Sequence, residues 1–338
     1  MSWTKIVDCV LAEIPNKTGI RRREPVLVLL KGPSFHAFSG GYLNVNKPGD
    51  WTSTDVVRKL KGVTKIKKIG HGGTLDPIAT GVLPICLGNA TRFAETILLG
   101  TKEYRLTLTL GKTTNTYDSE GDVTSERDWS GVTRELAEAA LEKFRGKYEQ
   151  TPPMFSAVKQ GGKRLYELAR QGIEVERKAR NVEVQQLTLI SCELPEIVLD
   201  VECSHGFYAR VLAHEFGEAL GCGAHLSGLI RTRAGKFKIE ESHTLEEIQE
   251  FANEGQWREL VVPMDFTLQH LPSVTLDPIS TETVQHGQAL SVGQFGTPVG
   301  AKPGQQLRAY DSDANLIAIL VFEPEKLGWR PEKVLAAR

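Results

Sequence analysis

Runs of alternating apolar and polar residues mark several strands of this chain. The segment Tyr104 to Leu110, YRLTLTL, alternates as a half-buried strand does. VEVQQLTLISCEL and EIVLDVECS predict two more strands, and GYLNVNKP predicts a short strand that ends at Pro48. Because an alternating strand has one face in the core and one outside, this pattern is typical of an antiparallel sheet.

Apolar residues at helical spacing predict helices between these strands. Thr52 or Ser53 can cap a helix that runs to about Leu60. Residues 131–145, HGFYARVLAHEFGEALG and the acidic HTLEEIQEFANEG are amphipathic. The side chains predicted to face inward are Leu136, Ala139, Ala140 and Phe144 in the first and Ala209, Leu212, Ala213 and Phe216 in the second.

The two ends of the chain differ from its middle in the length and spacing of their apolar runs. After about His270, short alternating runs punctuated by Gly and Pro predict a small β domain, residues 271–338. Residues 1–40 contain only short apolar runs, and PVLVLL is too short to cross a membrane. We interpret 1–40 as a weakly ordered extension. The remaining residues, 41–270, then form the larger domain, in a chain whose 338 residues exceed one typical domain.

Composition narrows the class of protein but not its function. With 40% hydrophobic and 25% charged residues, the chain is an ordinary globular one. Its net charge is -1, so the overall charge does not indicate a nucleic-acid binder. The five cysteines are odd in number and form no C-x-x-C pair, which predicts reduced core residues of a cytoplasmic protein: Cys9, Cys86, Cys192, Cys203 and Cys222.

The stretch GHGGTLDPIATGVLP, residues 70–84, has the character of a functional loop. Its glycines permit backbone conformations that other residues avoid, and Pro77 holds Asp76 out of the α region. The apolar run Ile78 to Cys86 follows and anchors the loop. An acid constrained in this way is suited to chemistry, although a buried turn capped by Asp76 has the same pattern.

Basic residues cluster on both sides of this loop. A charge run is usually a solvated face, but beside a candidate site it favours phosphate binding. The segment TPPMFSAVKQGGKRLYELARQG combines a proline-bearing loop, a Gly-Gly turn and a short helix, and its Met154 and Phe155 lie among cations, which suits RNA. The basic residues are Arg58, Lys59, Lys61, Lys65, Lys67 and Lys68 before the loop, and Lys159, Lys163, Arg164 and Arg170 in the later segment.

Six segments in order resemble the TruB-type tRNA pseudouridine synthases, the family that converts the T-loop uridine at tRNA position 55 to pseudouridine. Together they span most of residues 42–240. They are NKPGDWTS, GHGGTLDPIATGVLPI, TKEYRLTLTLGKTTNTYDSEGD, TPPMFSAVKQGGKRLYELARQG, CSHGFYARVL and AHLSGLIRTRAGKF.

The resemblance implies a role for each matching residue. Asp76 is the catalytic carboxylate, Arg210 its charge partner, and Tyr104 stacks on the target base and is a proposed participant in proton removal. The substrate-binding residues are His71, Tyr208, Leu229 and Lys47, and the RNA-binding residues are Lys65, Lys67, Lys68, Lys159, Lys163 and Arg164. Asn115 stands where many relatives have Asp, so it receives no catalytic role.

The resemblance also implies the architecture and the partner. We expect an α+β catalytic domain with a mixed, largely antiparallel sheet and flanking helices, and a PUA-like C-terminal β domain that contacts tRNA. The basic segment becomes a thumb-like insertion, at about residues 151–178, that closes over the T-loop. The partner is the T-loop and T-stem of tRNA, bound by a cytoplasmic monomer. Isomerisation involves neither redox change nor phosphate transfer, so no cofactor is expected.

Two other functions compete with this interpretation. An RNA-binding module without catalysis has no use for a partnered acid in its pocket. A hydrolase that uses Asp76 with His71 or with the HEFGE segment lacks a G-x-S-x-G elbow and a P-loop lysine motif. HEFGE also places Glu218 where the zinc motif H-E-x-x-H requires histidine, so no metal site is expected.

Overall fold

The computed structural model describes residues 38–156, 158–291, 301–326 and 328–335. Most of the predicted N-terminal extension, residues 1–40, therefore lies outside the described residues. The residues from Ser39 onward form one compact unit. Within the described ranges, no helix is long and apolar enough to cross a membrane.

The described residues contain nineteen strands and seven α-helices. The strands are β1 (Gly40–Lys47), β2 (Ile69–His71), β3 (Thr80–Gly88), β4 (Lys102–Leu110), β5 (Lys112–Thr114), β6 (Val123–Glu126), β7 (Gly146–Gln150), β8 (Lys159–Gln160), β9 (Lys163–Arg164), β10 (Arg180–Glu193), β11 (Glu196–Cys203), β12 (Ala224–Ala234), β13 (Phe237–Lys238), β14 (Val262–Pro263), β15 (Ser273–Thr275), β16 (Leu290–Ser291), β17 (Gln306–Tyr310), β18 (Leu316–Glu323) and β19 (Gly328–Val334). The helices are α1 (Ser53–Thr64), α2 (Ala94–Leu98), α3 (Arg134–Leu141), α4 (Leu165–Ala169), α5 (Ala209–Leu220), α6 (Leu245–Asn253) and α7 (Pro278–Gln285).

A ten-stranded sheet forms the centre of the molecule, in the order β14-β1-β3-β12-β4-β11-β10-β7, with β13 beside β12 and β2 beside β3. Its pairs are antiparallel except for β12 and β3, which run parallel where Ile230 lies opposite Thr80. The predicted mixed, largely antiparallel sheet is therefore confirmed. The parallel pair matters for the site, because it brings β12 beside the start of β3, directly after the loop of residues 72–79, the Asp76 loop.

The alternation in β4 and the apolar face of α5 are both buried as predicted. Leu106, Leu108 and Leu110 of β4 lie in the core. The predicted inner residues of α5, which are Ala209, Leu212, Ala213 and Phe216, are also buried. Gly217 lets this helix approach β12, since a Cβ atom at that position would lie 2.0 Å from the backbone nitrogen of Ala224.

The inner face predicted for the helix in residues 131–145 was partly wrong. In α3 the buried residues are Ala137 and Leu141, whereas Leu136 is 53% exposed. Within the helix, which Thr133 caps, the buried positions lie one residue after the predicted Leu136 and Ala140. Phe144 is buried as predicted, in the 3₁₀ turn that follows the helix. The polar segment GKTTNTYDSEG after β4 includes strand β5, which pairs with β6.

A separate five-stranded sheet follows in the order β15-β17-β18-β19-β16. Its own core includes Leu307, Leu320 and Trp329. Ile319 and Leu335 instead join a cluster of the main sheet. The C-terminal region therefore contributes side chains to the hydrophobic core of the large sheet.

Candidate active site

A buried arginine holds the first half of the Asp76 loop. Arg231, on β12, is 1% exposed. Its Nε donates to the carbonyl of Val82 at 2.7 Å, and its terminal nitrogens donate to the carbonyls of Thr74 at 3.3 Å and Gly73 at 3.0 Å. The planar guanidinium suits this task, because its donors point in fixed directions. The loop is thereby fixed to two strands.

The second half of the loop is fixed from the side of α1. The buried hydroxyl of Ser53 accepts from the backbone nitrogen of Leu75 at 2.8 Å and donates to its carbonyl at 3.1 Å. The carbonyl of Pro77 accepts from the backbone nitrogen of Asp50 at 3.0 Å and from Nζ of Lys47 at 3.1 Å. The backbone on both sides of Asp76 is therefore tied down.

Lys47 is buried, although a direct contact with substrate was predicted for it. Its side chain is 0% exposed, and its Nζ also donates to the carbonyls of Pro48 at 2.8 Å and Trp51 at 2.6 Å. Burial lowers the pKa of Lys47 to about 8. All three bonds that Nζ of Lys47 donates go to backbone carbonyls, so this side chain supports the loop.

The predicted contact between Asp76 and Arg210 is present. Arg210 lies in the first turn of α5, with its Nε 3.0 Å from Oδ2 of Asp76. The alternative, a turn cap, predicted a backbone partner for this carboxylate, whereas the partner found is a guanidinium.

Asp118 is a second carboxylate at this arginine, and the sequence did not predict it. Its Oδ2 lies 3.3 Å from Nη1 of Arg210, and its side chain is 3% exposed. The other oxygen of Asp118 accepts from the hydroxyl of Thr116 at 2.6 Å and from the backbone nitrogen of Glu120 at 3.1 Å. Arg210 also donates to the carbonyl of Phe155 at 2.8 Å. The guanidinium is thus fixed in place by groups from three segments.

Burial is the main influence on the acidity of Asp76. It raises the pKa of this carboxyl, since the charged form loses hydration. The positive charge of Arg210 opposes the rise, and the negative charge of Asp118 adds to it. A carboxyl group whose pKa is shifted by burial and by neighbouring charges of both signs is characteristic of functional sites.

Asp76 and Arg210 line a cavity of about 420 Å³, here called the tyrosine cavity. Tyr104, Tyr208 and Leu229, to which the resemblance assigns contacts with the reacting nucleoside, also line it. Tyr104 on β4 lies opposite Arg231 on β12, which places the phenol ring beside the Asp76 loop. Burial raises the pKa values of Tyr104 and Tyr208, so both phenols stay protonated near neutral pH.

A second cavity, of about 440 Å³, meets the first at Asp76 and Arg210. We call it the histidine cavity, because His71 lines it together with Arg164 and Tyr166 of the thumb. Burial, and then the charge of Arg231, lower the pKa of His71, so its ring is neutral near neutral pH. The structure therefore brings His71 close to the site but on a different side from the tyrosines.

The predicted RNA-binding cations are exposed and belong to two regions. Lys159, Lys163 and Arg164 lie on a small hairpin of β8 and β9. In helix α4, which follows the hairpin, the ring of Tyr166 lies 5.8 Å from the guanidinium of Arg164 and 5.6 Å from that of Arg170. Lys65 lies beyond the end of α1 and lines a separate surface cleft of about 750 Å³ rather than either cavity. The remaining exposed lysines are Lys67 and Lys68 before β2 and Lys159 and Lys163 on the hairpin.

Asn115 and the HEFGE segment have other partners. The amide of Asn115 bonds across its turn to Asp122, with the backbone nitrogen of Asp122 at 3.1 Å. His214 stacks on Tyr117, and Glu218 pairs with Arg127 at 2.6 Å. The described part of the chain contains no group of three or more His, Cys, Asp or Glu side chains that could hold a metal ion.

Sequence comparisons identify relatives along most of the chain. Residues 61–209 match the TruB family pseudouridylate synthase N-terminal domain, and residues 210–269 match the tRNA pseudouridylate synthase B C-terminal domain. The tRNA pseudouridine synthase B of Burkholderia pseudomallei strain 668 is 41% identical over 85% of this chain and 96% of its own length. The enzyme of the same name from Thiobacillus denitrificans is 42% identical, over 85% of this chain and 93% of its own.

The fold also resembles that of a solved structure. A chain in the crystal structure of a Cbf5-Nop10-Gar1 complex superposes with a TM-score of 0.67 at 30% identity, covering 89% of this chain and 86% of its own. This chain belongs to the TruB family of tRNA pseudouridine synthases.

Proposed function

We propose that this enzyme isomerises the T-loop uridine at position 55 of tRNA to pseudouridine, with Asp76 as the catalytic carboxylate. The observation that carries the proposal is the pair of buried Arg210 and partly exposed Asp76, which lies where the two cavities meet. The reaction breaks the N1 to C1′ bond, rotates the uracil and joins C5 to C1′, with loss of the C5 proton and gain of a proton at N1. A positioned carboxylate can attack C1′ or assist a glycal-like intermediate, and the geometry fits both routes.

The rigidity of the Asp76 loop supports this role. Charge develops on the sugar as the glycosidic bond breaks, and a carboxylate fixed in advance stabilises it without reorganising. Arg231 and Ser53 supply that fixation through the loop backbone. Arg210 would set the direction of the carboxylate, because its own position is determined by Asp118 and by backbone carbonyls.

The tyrosine cavity would hold the flipped-out uracil. Tyr104 would stack on the base, while Tyr208 and Leu229 form walls. The raised pKa of Tyr104 favours stacking over proton removal, since a protonated phenol is a poor base. His71 would contact the T-loop from the neighbouring cavity, replacing part of the stacking lost when the base leaves the loop.

Exposed cations would bind the RNA backbone around this opening. In the thumb, Lys159, Lys163 and Arg164 would grip phosphates of the T-loop, and Tyr166 adds an aromatic surface. The second group, Lys65, Lys67 and Lys68, would meet the T-stem.

The proposal extends to the oligomeric state and the cellular compartment of the enzyme. The enzyme would act as a monomer, because one chain supplies all the residues assigned to the site. The free thiols Cys86, Cys192, Cys203 and Cys222 fit the reducing cytoplasm, where tRNA is modified.

The test is carbodiimide mapping of an unmodified tRNA transcript after incubation with the enzyme. We expect one new pseudouridine stop, at position 55, and none in a transcript that carries cytidine there. Modification at another position would refute the assignment of the target. Binding without any modification would instead indicate an RNA-binding module.

A further inference from the structure

A flat aromatic stack joins the turn that carries Asp118 to the helix that carries Arg210. Tyr117 lies between β5 and β6, and His214 lies on α5, one turn after Arg210. Their ring centroids are 4.0 Å apart and their planes differ by 9°. No motif of the sequence assigns these two residues to the reaction.

Tyr117 has an unusual backbone conformation. Its φ is +66°, in the left-handed region that bulky residues avoid unless their surroundings enforce it. Its backbone nitrogen donates to the carbonyl of Thr114 at 3.2 Å, and its carbonyl accepts from the nitrogen of Leu226 at 2.9 Å. The turn is thus held in a strained form, which suggests a functional reason for it.

The residues on either side of Tyr117 both contact Arg210. The carbonyl of Thr116 accepts from Nη1 of Arg210 at 3.3 Å, and Oδ2 of Asp118 lies 3.3 Å from the same nitrogen. A shift of Tyr117 would therefore move both partners of this nitrogen together. The stack ties that turn to the same helix face from which Arg210 projects.

His214 provides a surface suited to this stack. Burial lowers the pKa of its imidazole, although Glu218 favours the charged form. The buried Nδ1 has no hydrogen-bond partner among the described residues. The ring is therefore held mainly by its face on Tyr117 rather than by polar contacts.

We infer that Tyr117, held by its stack on His214, is a positioning residue that fixes Arg210 through Thr116 and Asp118. The inference rests on the proposed role of Arg210 in the reaction. It predicts that losing the stack slows the chemical step while leaving tRNA binding intact, because neither ring lines the tyrosine or the histidine cavity.

Four single variants test this. Tyr117→Leu and His214→Leu remove the stack but keep an apolar side chain, and each should lower the single-turnover rate at saturating enzyme about tenfold or more, with tRNA affinity within about twofold of wild type. Tyr117→Phe and His214→Phe keep two stacked rings and should restore the rate. Phe144→Leu is the matched control, because it loses an aromatic contact with Phe216 on the same helix, away from Arg210. It should lower thermal stability without slowing the reaction.

A double variant makes the test specific. If Tyr117 acts through Arg210, adding Tyr117→Leu to Arg210→Ala should slow the reaction no further. An inactive Arg210→Ala with a fully active Tyr117→Leu would overturn this inference alone. A fully active Arg210→Ala would overturn the proposed role of Arg210 as well. Equal losses of rate in the leucine and phenylalanine variants would also contradict the inference.

Discussion

Arg210 and Asp76 form an ion pair of unequal exposure: the side chain of Arg210 is 7% exposed and that of Asp76 is 36% exposed. The guanidinium is enclosed by protein, whereas the carboxylate keeps an open side toward the two cavities. A buried cation with several fixed partners can thus orient an acid that remains accessible to substrate. This arrangement is the physical basis of the predictions that follow.

The first prediction concerns Asp118 and pH. Burial raises the pKa of Asp76 above its usual 3.8, and the charge of Asp118 contributes to the rise. Activity should increase with pH as Asp76 ionises. Asp118→Asn removes a like charge and so lowers the pKa of Asp76, which should move the acidic limb of the pH–rate profile to lower pH. The plateau rate should also fall, because Arg210 loses a partner.

The matched control for this profile is Asp122→Asn. Asp122 lies on the same hairpin, but its backbone and side chain bond to Asn115 instead of Arg210. Its acidic limb should coincide with that of wild type. An acidic limb of Asp118→Asn that stays in place or moves to higher pH would show that Asp118 does not act on Asp76.

The second prediction concerns Arg231. Lysine keeps the charge but cannot direct donors at three carbonyls, so Arg231→Lys should leave buried acceptors unsatisfied, at about 1–3 kcal/mol for each. Urea unfolding should show lower stability, and the single-turnover rate should fall because the Asp76 loop loses an anchor. Arg233→Lys, on the same strand but at the partly exposed ion pairs with Glu103 and Glu202, should have much smaller effects. Equal effects of the two substitutions would contradict this role.

The sequence predicted those features that depend on a local hydrophobic pattern or on a family motif. Alternation identified β4, β10 and β11, and the resemblance placed Asp76, Tyr104 and Arg210 in one site. It did not identify Arg231 or Asp118, because their roles depend on backbone carbonyls and on a guanidinium brought close only by the fold. The burial of Lys47 was not predicted for a related reason: a lysine near a functional loop looks the same in sequence whether its ammonium faces RNA or backbone carbonyls.

The third prediction concerns the small sheet. Ile319 and Leu335 pack in a cluster with Tyr42, Val82 and Phe93 of the large domain. Deleting residues 272–338 should therefore expose apolar core, at about 1.5–3 kcal/mol for each large side chain uncovered, and lower the thermal midpoint. If tRNA affinity falls while the midpoint is unchanged, the small sheet contributes to RNA binding alone.

A point variant separates the loss of packing from the loss of the whole sheet. Leu335→Ala should lower the midpoint by removing one of these contacts. Ile279→Ala, at an exposed position of α7, is the control and should leave it unchanged. Equal midpoints for the two variants would argue against a shared core.

The central claim is that Asp76 acts on the reacting nucleoside, and Asp76→Asn tests it most directly. The substitution keeps the size of the side chain and removes its charge. Pseudouridine yield and tRNA affinity should be measured together, for wild type and variant, over long incubation. We expect pseudouridine formation to fall by several orders of magnitude with tRNA affinity nearly unchanged, since the carboxylate stabilises mainly the transition state. A variant that still forms pseudouridine at a rate near wild type would contradict the mechanism.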